Sequence, residues 1–446
     1  MKRTLNLNIF LAIAIVFICL NGYAAQSNNV VVAKDGSGQF TTVQAAINAV
    51  PNGNRTIFNI YIKRGRYNEQ VYIPAGKNCI KLTGESPAET EIVFGDGKGG
   101  TTTFTIDAND ITLVNLTLEN LQGRLGDGPQ SLAIKTNGDR IALISCRLIS
   151  GQDTVYVNKA GTRVYFNNCY IDGNTDFIYG GAIALFERCV IYPRDRVDFG
   201  KGGYITAANT PVDQVYGLVF RNCIIPDNHG ITKYSLGRPW QNDATVIPKG
   251  RIRAGNKTVF LNTQFGQSIL PARWTLWDAG TETDKIIYGE YQSMDLKGKK
   301  LDLSSRVSWS KDLDVTEAAP YLNNQTLFGD WNPGYGPIKS VLPLTITNFV
   351  ARYQNNQASI QFNASWPVDG VTYTLYKTDD ANKTFKEIAH QSAKTGNVVA
   401  YQFADDLPLD GQNLYYLVKA SKGKQTLSSD TLLVNTDKIL KPKSRK

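Results

Sequence analysis

The sequence predicts an all-β protein: a right-handed parallel β-helix (solenoid) followed by a small immunoglobulin/fibronectin-like β-sandwich. Three observations lead there. A short strand motif recurs about every twenty residues through most of the chain, which is the signature of stacked coils that cannot bury their apolar faces alone. Val, Ile, Thr and Tyr are abundant while long helical periodicity is scarce. Beyond about residue 344 the pattern changes to closely spaced period-2 strands, as in a sandwich.

Taken in order, Lys2 and Arg3 precede an apolar run from Ile9 to Leu20, and Gly22 and Ala24 offer small residues before Ala25. Residues 1–24 therefore read as a secretory signal peptide cleaved near Ala24, and a secreted protein, extracellular or periplasmic, is expected. No later stretch of the sequence approaches the ~20 apolar residues of a membrane span. The formal net charge of +9 falls to +7 without Lys2 and Arg3, and Lys441, Lys443, Arg445 and Lys446 carry four more of those charges. The remainder is a weak argument for a polyanionic partner, so no nucleic acid is expected and the tail 437–446 reads as a solvated basic segment.

After the leader, Thr41 and Gln44 are spaced as a capping box for a helix that Pro51 stops, placed to cover the open end of the stack. Strands are expected at Ile57–Ile62, Val71–Ile73, Ile80–Thr83 and Glu91–Phe94. The repeated unit then alternates apolar and polar residues, reaches an Asn, Ser or other polar residue and often a Cys, and turns apolar again. It starts at Ile111, Ile141, Arg163, Ile183, Tyr216 and Lys257. Cys146, Cys169 and Cys189 align with steps of 23 and 20 residues. With Cys79 and Cys223 they make an odd number after the leader; Cys169 and Cys189 are the best candidate disulfide pair, and stacked buried thiols are the alternative. No spacing resembles a zinc site. The helix domain is expected over 25–338, closed by Asp330–Gly334 and bounded by Gly336, Pro337 and Pro343. A second module over 344–436 is expected to hold seven strands, at Leu344–Val350, Ala358–Phe362, Thr372–Lys377, Lys386–Ala389, Val399–Phe403, Leu414–Lys419 and Thr431–Val434.

Two acids stand out. Asp153 follows Gly151 and Gln152 and opens a strand pattern, and Asp176 does the same 23 residues later. One coil of the repeat has about that length, so the two carboxylates are expected side by side on adjacent strands, roughly 5 Å apart. Such a pair does not ionise twice with ease; one member keeps a proton as an acid while the other is free to attack. Gln152, and Gln130 located 22 residues before it, fall on the same stacked position and offer amide donors for a developing oxyanion. An isolated Asp usually serves a turn, but four polar residues converging from successive coils argue for a site. Arg238 is placed to hold a carboxylate ionised, and Trp240 to stack on a sugar. The only histidines are His229 and His390, no G-x-S-x-G elbow exists, and a metal-ligand cluster is lacking in the sequence, which leaves carboxylate chemistry.

The segments DGSGQFTTVQAAI (Asp35–Ile47), GRYNEQVYIP (Gly65–Pro74), GQDTVYV (Gly151–Val157), GNTDFIYG (Gly173–Gly180), YITA (Tyr204–Ala207) and LGRPW (Leu236–Trp240) resemble, in order and spacing, those of the pectin methylesterases (pectinesterases) of carbohydrate esterase family 8, from Val31 to Tyr335. The resemblance implies a parallel β-helix that hydrolyses the C6 methyl esters of homogalacturonan to methanol and de-esterified pectin, without metal or cofactor. By it, Asp176 is the nucleophile, Asp153 the acid and then the base, Gln152 and Gln130 the oxyanion donors, and Arg238 the partner of Asp176. Tyr156, Phe177, Tyr179 and Trp240 are expected in the sugar-binding cleft. Thr175 stands where the family usually carries Val, and Tyr179 where it carries Phe; Asp195–Lys201 is expected to form a cleft loop. The second module is similar to fibronectin-type modules attached to exported polysaccharide-degrading enzymes, a spacer or attachment unit. A monomer whose partner is pectin follows from this reading. Two alternatives remain: a β-helix glycoside hydrolase acting on polygalacturonate with the same Asp pair, and a catalytically idle pectin-binding solenoid.

Overall fold

The computed structural model describes residues 28–95, 100–125, 129–196, 202–228, 232–241, 255–334 and most of 345–435. The expected signal peptide, His229, the boundary residues Gly336, Pro337 and Pro343, and the basic tail lie outside the described residues.

Each repeat unit folds as two short strands around one sharp corner. The corner residue has a left-handed backbone in coil after coil, with φ between 50° and 57° at Asn115, Ser145, Asn168, Arg188, Asn222 and Asn262. Asn tolerates this region better than other non-glycine residues, which is why the motif places Asn or a small polar residue there. With a third strand completing each turn, three parallel sheets of eleven, nine and seven strands form, and each sheet's neighbours come from successive coils. Pairings such as Val164↔Ala184 and Tyr170↔Val190 keep apolar rows stacked. Phe166, Phe186, Phe220 and Phe260 thus form an inner ladder with ring centroids 4.3–4.5 Å apart.

The cysteines stack in the same way. Cys146, Cys169, Cys189 and Cys223 are buried and all five described cysteines are free, so the expected Cys169–Cys189 disulfide is not formed. The reason is orientation: each thiol turns to a backbone carbonyl of the coil before it, Cys169 Sγ to Leu143 O at 3.4 Å and Cys189 Sγ to Phe166 O at 3.7 Å. In-register parallel neighbours hold their side chains parallel, whereas a disulfide needs them to converge.

The helix Val43–Ala49 covers one end of the stack with Val43, Ala46 and Ile47 in the core. Its cap is Thr42, whose hydroxyl accepts from Ala45 N at 3.3 Å, rather than Thr41. The expected box is absent because Gln44 is engaged elsewhere, pairing with the Tyr72 backbone, while Glu69 accepts from Val43 N and Gln44 N. Helices Val315–Leu322 and Asn324–Phe328 pack on the outer face of the eleven-stranded sheet.

From Thr345 to Asn435 eight strands form two antiparallel sheets around a separate core of Phe362, Tyr373, Tyr401 and Tyr416 among others. The strand beyond the seven expected, Gln425–Ser428, returns along Asn413–Lys422 after a turn with Gly423 at φ 61°. Its single apolar residue, Leu427, gave no period-2 signal.

Phe220 sits mid-ladder between two stacked rings, so Phe220→Ala is expected to cost about 3–5 kcal/mol. A urea unfolding midpoint unchanged from the parent would contradict the ladder's contribution.

Candidate active site

The strands Val155–Val157 and Thr175–Gly180 pair in parallel with Val155 opposite Ile178 and Tyr156 opposite Tyr179, a step of 23 residues. The same step holds upstream, where Gln152 bridges to Thr175. Asp153 and Asp176 therefore occupy matching places in adjacent coils, and Asp153 N donates to Thr175 O at 3.1 Å. Both have left-handed backbones, φ 67° at Asp153 and 47° at Asp176. Non-glycine residues rarely sit there, and such positions gather at functional sites.

At Asp176 a register shift explains what this backbone does. Thr175 pairs with Tyr204 and Ile178 with Thr206, so two residues on one strand oppose one on the other. A bulge of this kind breaks the alternation of side chains and re-aims one of them. Phe177 and Ile178 both enter the core in consequence. This corrects the sequence expectation for Phe177: its side chain is fully buried against Gly173, where an added Cβ would meet the Phe177 Cβ at 2.2 Å and the ring's Cγ at 2.5 Å, and it does not line a cleft.

The Asp176 carboxylate is gripped by Arg238, with Nε on Oδ1 at 2.9 Å and Nη2 on Oδ2 at 2.5 Å. Burial pushes the Asp176 carboxyl upward, and this guanidinium fork opposes it. Arg238 is itself held between two rings, 4.0 Å from the centroids of both Tyr204 and Trp277. Asp153 lacks such a fork. Burial first, and then the neighbouring charge of Asp176, push it up to about 7; hydrogen bonds with Tyr179 and Gln152 and the charge of Arg238 pull the other way. The two acids thus differ: Asp176, raised by burial, has a guanidinium fork that favours its charged form, and Asp153, without a fork, is pushed up to about 7.

Arg196 adds a second cation. It is buried, its guanidinium donates to Thr175 Oγ1, and its charge favours ionised Asp176. The acceptor of this bond is the Thr175 hydroxyl, which a Val at this position would lack. Asp195 accepts from Thr232 N at 2.8 Å; residues 197–201 of the expected loop lie outside the described residues.

Tyr156 and Tyr179 stack with centroids 4.1 Å apart, and Trp240 meets both edge-on at 6.4 and 5.6 Å. Trp277 continues the wall 6.5 Å from Trp240, and Lys135 lies over the Tyr156 ring. Gln152 is half-buried and bonds Asp153; Gln130 is exposed. Ser131 N donates to Gln152 O while Ala133 N and Ile134 N share Thr154 O, which eases the step of 21 along this strand towards the 22 that separates Gln130 from Gln152. Sequence reasoning missed Tyr204, Trp277, Arg196 and Lys135. Tyr204 lay inside a recognised motif without a role, and Lys135 was legible as the in-register neighbour of Tyr156. Trp277 follows the last long loop, where the repeat gives no register. Among the described residues no cluster of His, Cys, Asp and Glu could hold a metal ion.

A parallel β-helix carrying two aspartates on adjacent coils, one fork-bound by arginine, beside an aromatic wall, defines a carboxylate site. The comparisons with known proteins make the assignment specific: residues 29–330 match the Pectinesterase family model, and the chain belongs to that family. It is 33% identical over 348 residues to Pectinesterase 4 of Arabidopsis thaliana, covering 73% of this chain and 54% of that protein. The chain thus spans about half the length of that relative. Among solved structures it is similar to a pectin methylesterase from carrot (28% identity, TM-score 0.60, 67% of this chain and 92% of that one). It is also similar to a pectin methylesterase in complex with a hexasaccharide (30% identity, TM-score 0.57, 69% and 98%).

Because burial and Asp176 raise Asp153 in the folded state, the fold favours its proton. The stabilisation is complete below the unfolded value near 3.8 and is lost as pH rises through about 7. Asp153→Asn, which cannot ionise, is therefore expected to gain on the parent between pH 4 and 8, by up to roughly 4 kcal/mol. Unfolding midpoints at those two pH values measure it, and a constant difference would refute the raised Asp153.

Proposed function

We propose that this protein is a secreted pectin methylesterase, hydrolysing C6 methyl esters of homogalacturonan. The observation that carries the reading is the unequal aspartate pair, with Asp176 forked by Arg238 and Asp153 protonated beside it. Ionised Asp176 attacks the ester carbonyl carbon. Amide donors of Gln152, and of Gln130 at the rim, face the oxyanion that forms. Asp153 gives its proton to the methoxy oxygen, the C–O bond breaks, and methanol leaves an acyl-enzyme anhydride. Asp153, now a carboxylate, takes a proton from water; the hydroxide adds to the acyl carbon, and the C–O bond to Asp176 breaks. Galacturonic acid and the starting charge states of both aspartates result, and the acid loses its proton to solvent as galacturonate. Tyr156, Tyr179 and Trp240 bind the sugar faces, with Trp277 and Tyr204 clamping Arg238.

The aspartates occupy matching places on adjacent coils, and the spacing of neighbouring strands, about 5 Å, is shorter than the roughly 6.5–9.5 Å that an inverting glycosidase leaves between its carboxyl groups for water. In the same reading, residues 25–338 form the catalytic domain and 344–436 a fibronectin-like accessory module, the leader ends near Ala24, and the enzyme works as a monomer. No helix among the described residues is long and apolar enough to cross a membrane.

Methylated pectin is expected to release methanol without new reducing ends; reducing ends would turn the assignment to a glycoside hydrolase. Asp176→Ala and Asp153→Ala should each lower kcat by about 10²-fold or more with far-UV circular dichroism unchanged. Turnover near the parent rate in either variant would remove these roles. The pH profile checks Arg196 separately. The acid limb of kcat/KM reports ionisation of Asp176 in the free enzyme, so Arg196→Gln and Thr175→Val should move that limb to higher pH, whereas a purely structural Arg196 would lower the amplitude and leave the limb in place.

A further inference from the structure

The chemistry above uses nothing beyond the β-helix, yet the sandwich lies against it. Thr426 Oγ1 donates to Glu89 Oε1 at 3.3 Å, and Ala88 packs on the sandwich core. Along this seam opens a cavity of about 590 Å³. Asn228 is its β-helix wall. Its other wall is the outer face of the three-stranded sheet: Phe362 and Tyr401 turn inward, so their neighbours Gln361, Asn363 and Gln402 turn out. Gln361 pairs with Gln402 across two strands, and Gln391 and Lys394 close the side.

Among the described residues, five amides and one ammonium, and no carboxylate, line this space. Amides both donate and accept, as sugar hydroxyls do, and the lysine supplies a charge for an acidic group. The volume lies within the range of sites that take ligands of small-oligosaccharide size. The cavity is also tied to the catalytic coil. Asn228 Nδ2 donates to Thr232 O at 2.8 Å, Arg196 N donates to Thr232 Oγ1 at 2.8 Å, and the Arg196 side chain reaches Thr175, next to Asp176.

We propose that this seam is a second binding site for a run of unesterified uronates in the same polymer, so that the sandwich holds the pectin chain while the β-helix works on its esters. The proposal rests on the pectin reading of the catalytic site. Unesterified hexagalacturonate is the probe, titrated calorimetrically into the full chain. Two sites per chain are expected, one lost in Lys394→Glu and the other in Trp240→Ala. Because Lys394 is exposed and outside the catalytic machinery, its reversal should leave kcat unchanged and leave KM on a short methylated oligomer unchanged, while KM on polymeric pectin rises about tenfold. Asn363→Ala with Gln402→Ala should act in the same direction without a charge change. A single site indifferent to Lys394→Glu, or equal binding of a neutral glucose hexasaccharide at the seam, would overturn the proposal. The titration needs no turnover, so an enzyme that releases no methanol would sink the esterase reading and leave this test standing.

Discussion

Backbone hydrogen bonds between successive coils decide where every side chain of the β-helix goes. Because the strands are parallel and in register, whatever one coil does at a given place the next repeats directly above it. The rows of Phe166, Phe186, Phe220 and Phe260 and of the four stacked cysteines follow from this without further device. So does the adjacency of Asp153 and Asp176, which the 23-residue step of their strands imposes before any side chain interacts. In-register stacking gains most for apolar and aromatic rows. For like charges it is unfavourable, which is why two stacked acids require an explanation.

The corners supply the other half of the geometry. Each coil turns through left-handed residues, and most of these are Asn or other polar residues at the strand-to-strand bend. At Asp153 and Asp176 the left-handed backbone sits instead at the start of the third sheet. There it interrupts the alternation of side chains and, at Asp176, coincides with a bulge. The core gains Phe177 and Ile178 together, and the carboxylate is directed away from it towards Arg238. A straight strand, with positions 176 and 178 on one face, would have had to choose between burying Ile178 and presenting Asp176.

How far the sequence discloses this depends on whether register reaches the residue in question. The repeat made the coil length legible, and with it the stacking of Asp153 on Asp176 and of Tyr156 on Tyr179. Phe177 was misjudged because strict alternation puts it on a face that the bulge reverses. The cysteine step was read correctly, but spacing does not report that parallel neighbours hold their thiols parallel rather than convergent. Thr42 replaced Thr41 as cap because Glu69, from the next coil, took the helix's first amides, a contact far away in sequence. Trp277 and Arg196 enter from loops between strands, where no period applies. Their parts in the site depend on tertiary contacts, with Arg238 in one case and Thr175 in the other.

The same constraint poses a problem that the site then resolves. Backbone symmetry makes Asp153 and Asp176 near-equivalent, both left-handed and both buried, whereas a nucleophile and an acid must differ in charge. The difference comes from outside the pair. Arg238 belongs to a later coil of the same sheet, reached from Asp176 across the strand Gly203–Ala208, and its fork engages only Asp176. The rings of Tyr204 and Trp277 limit where that guanidinium can go, so its hydrogen bonds stay on Asp176 while Asp153 feels only its charge. Asp153 meets a phenol and an amide, groups that hydrogen-bond without carrying charge, and the ionised neighbour then raises it further. A ladder that stacks like on like thus becomes asymmetric through the arginines set at one end of the row, Arg238 in direct contact and Arg196 behind it, and the assignment of attacking group and proton donor follows from which end that is.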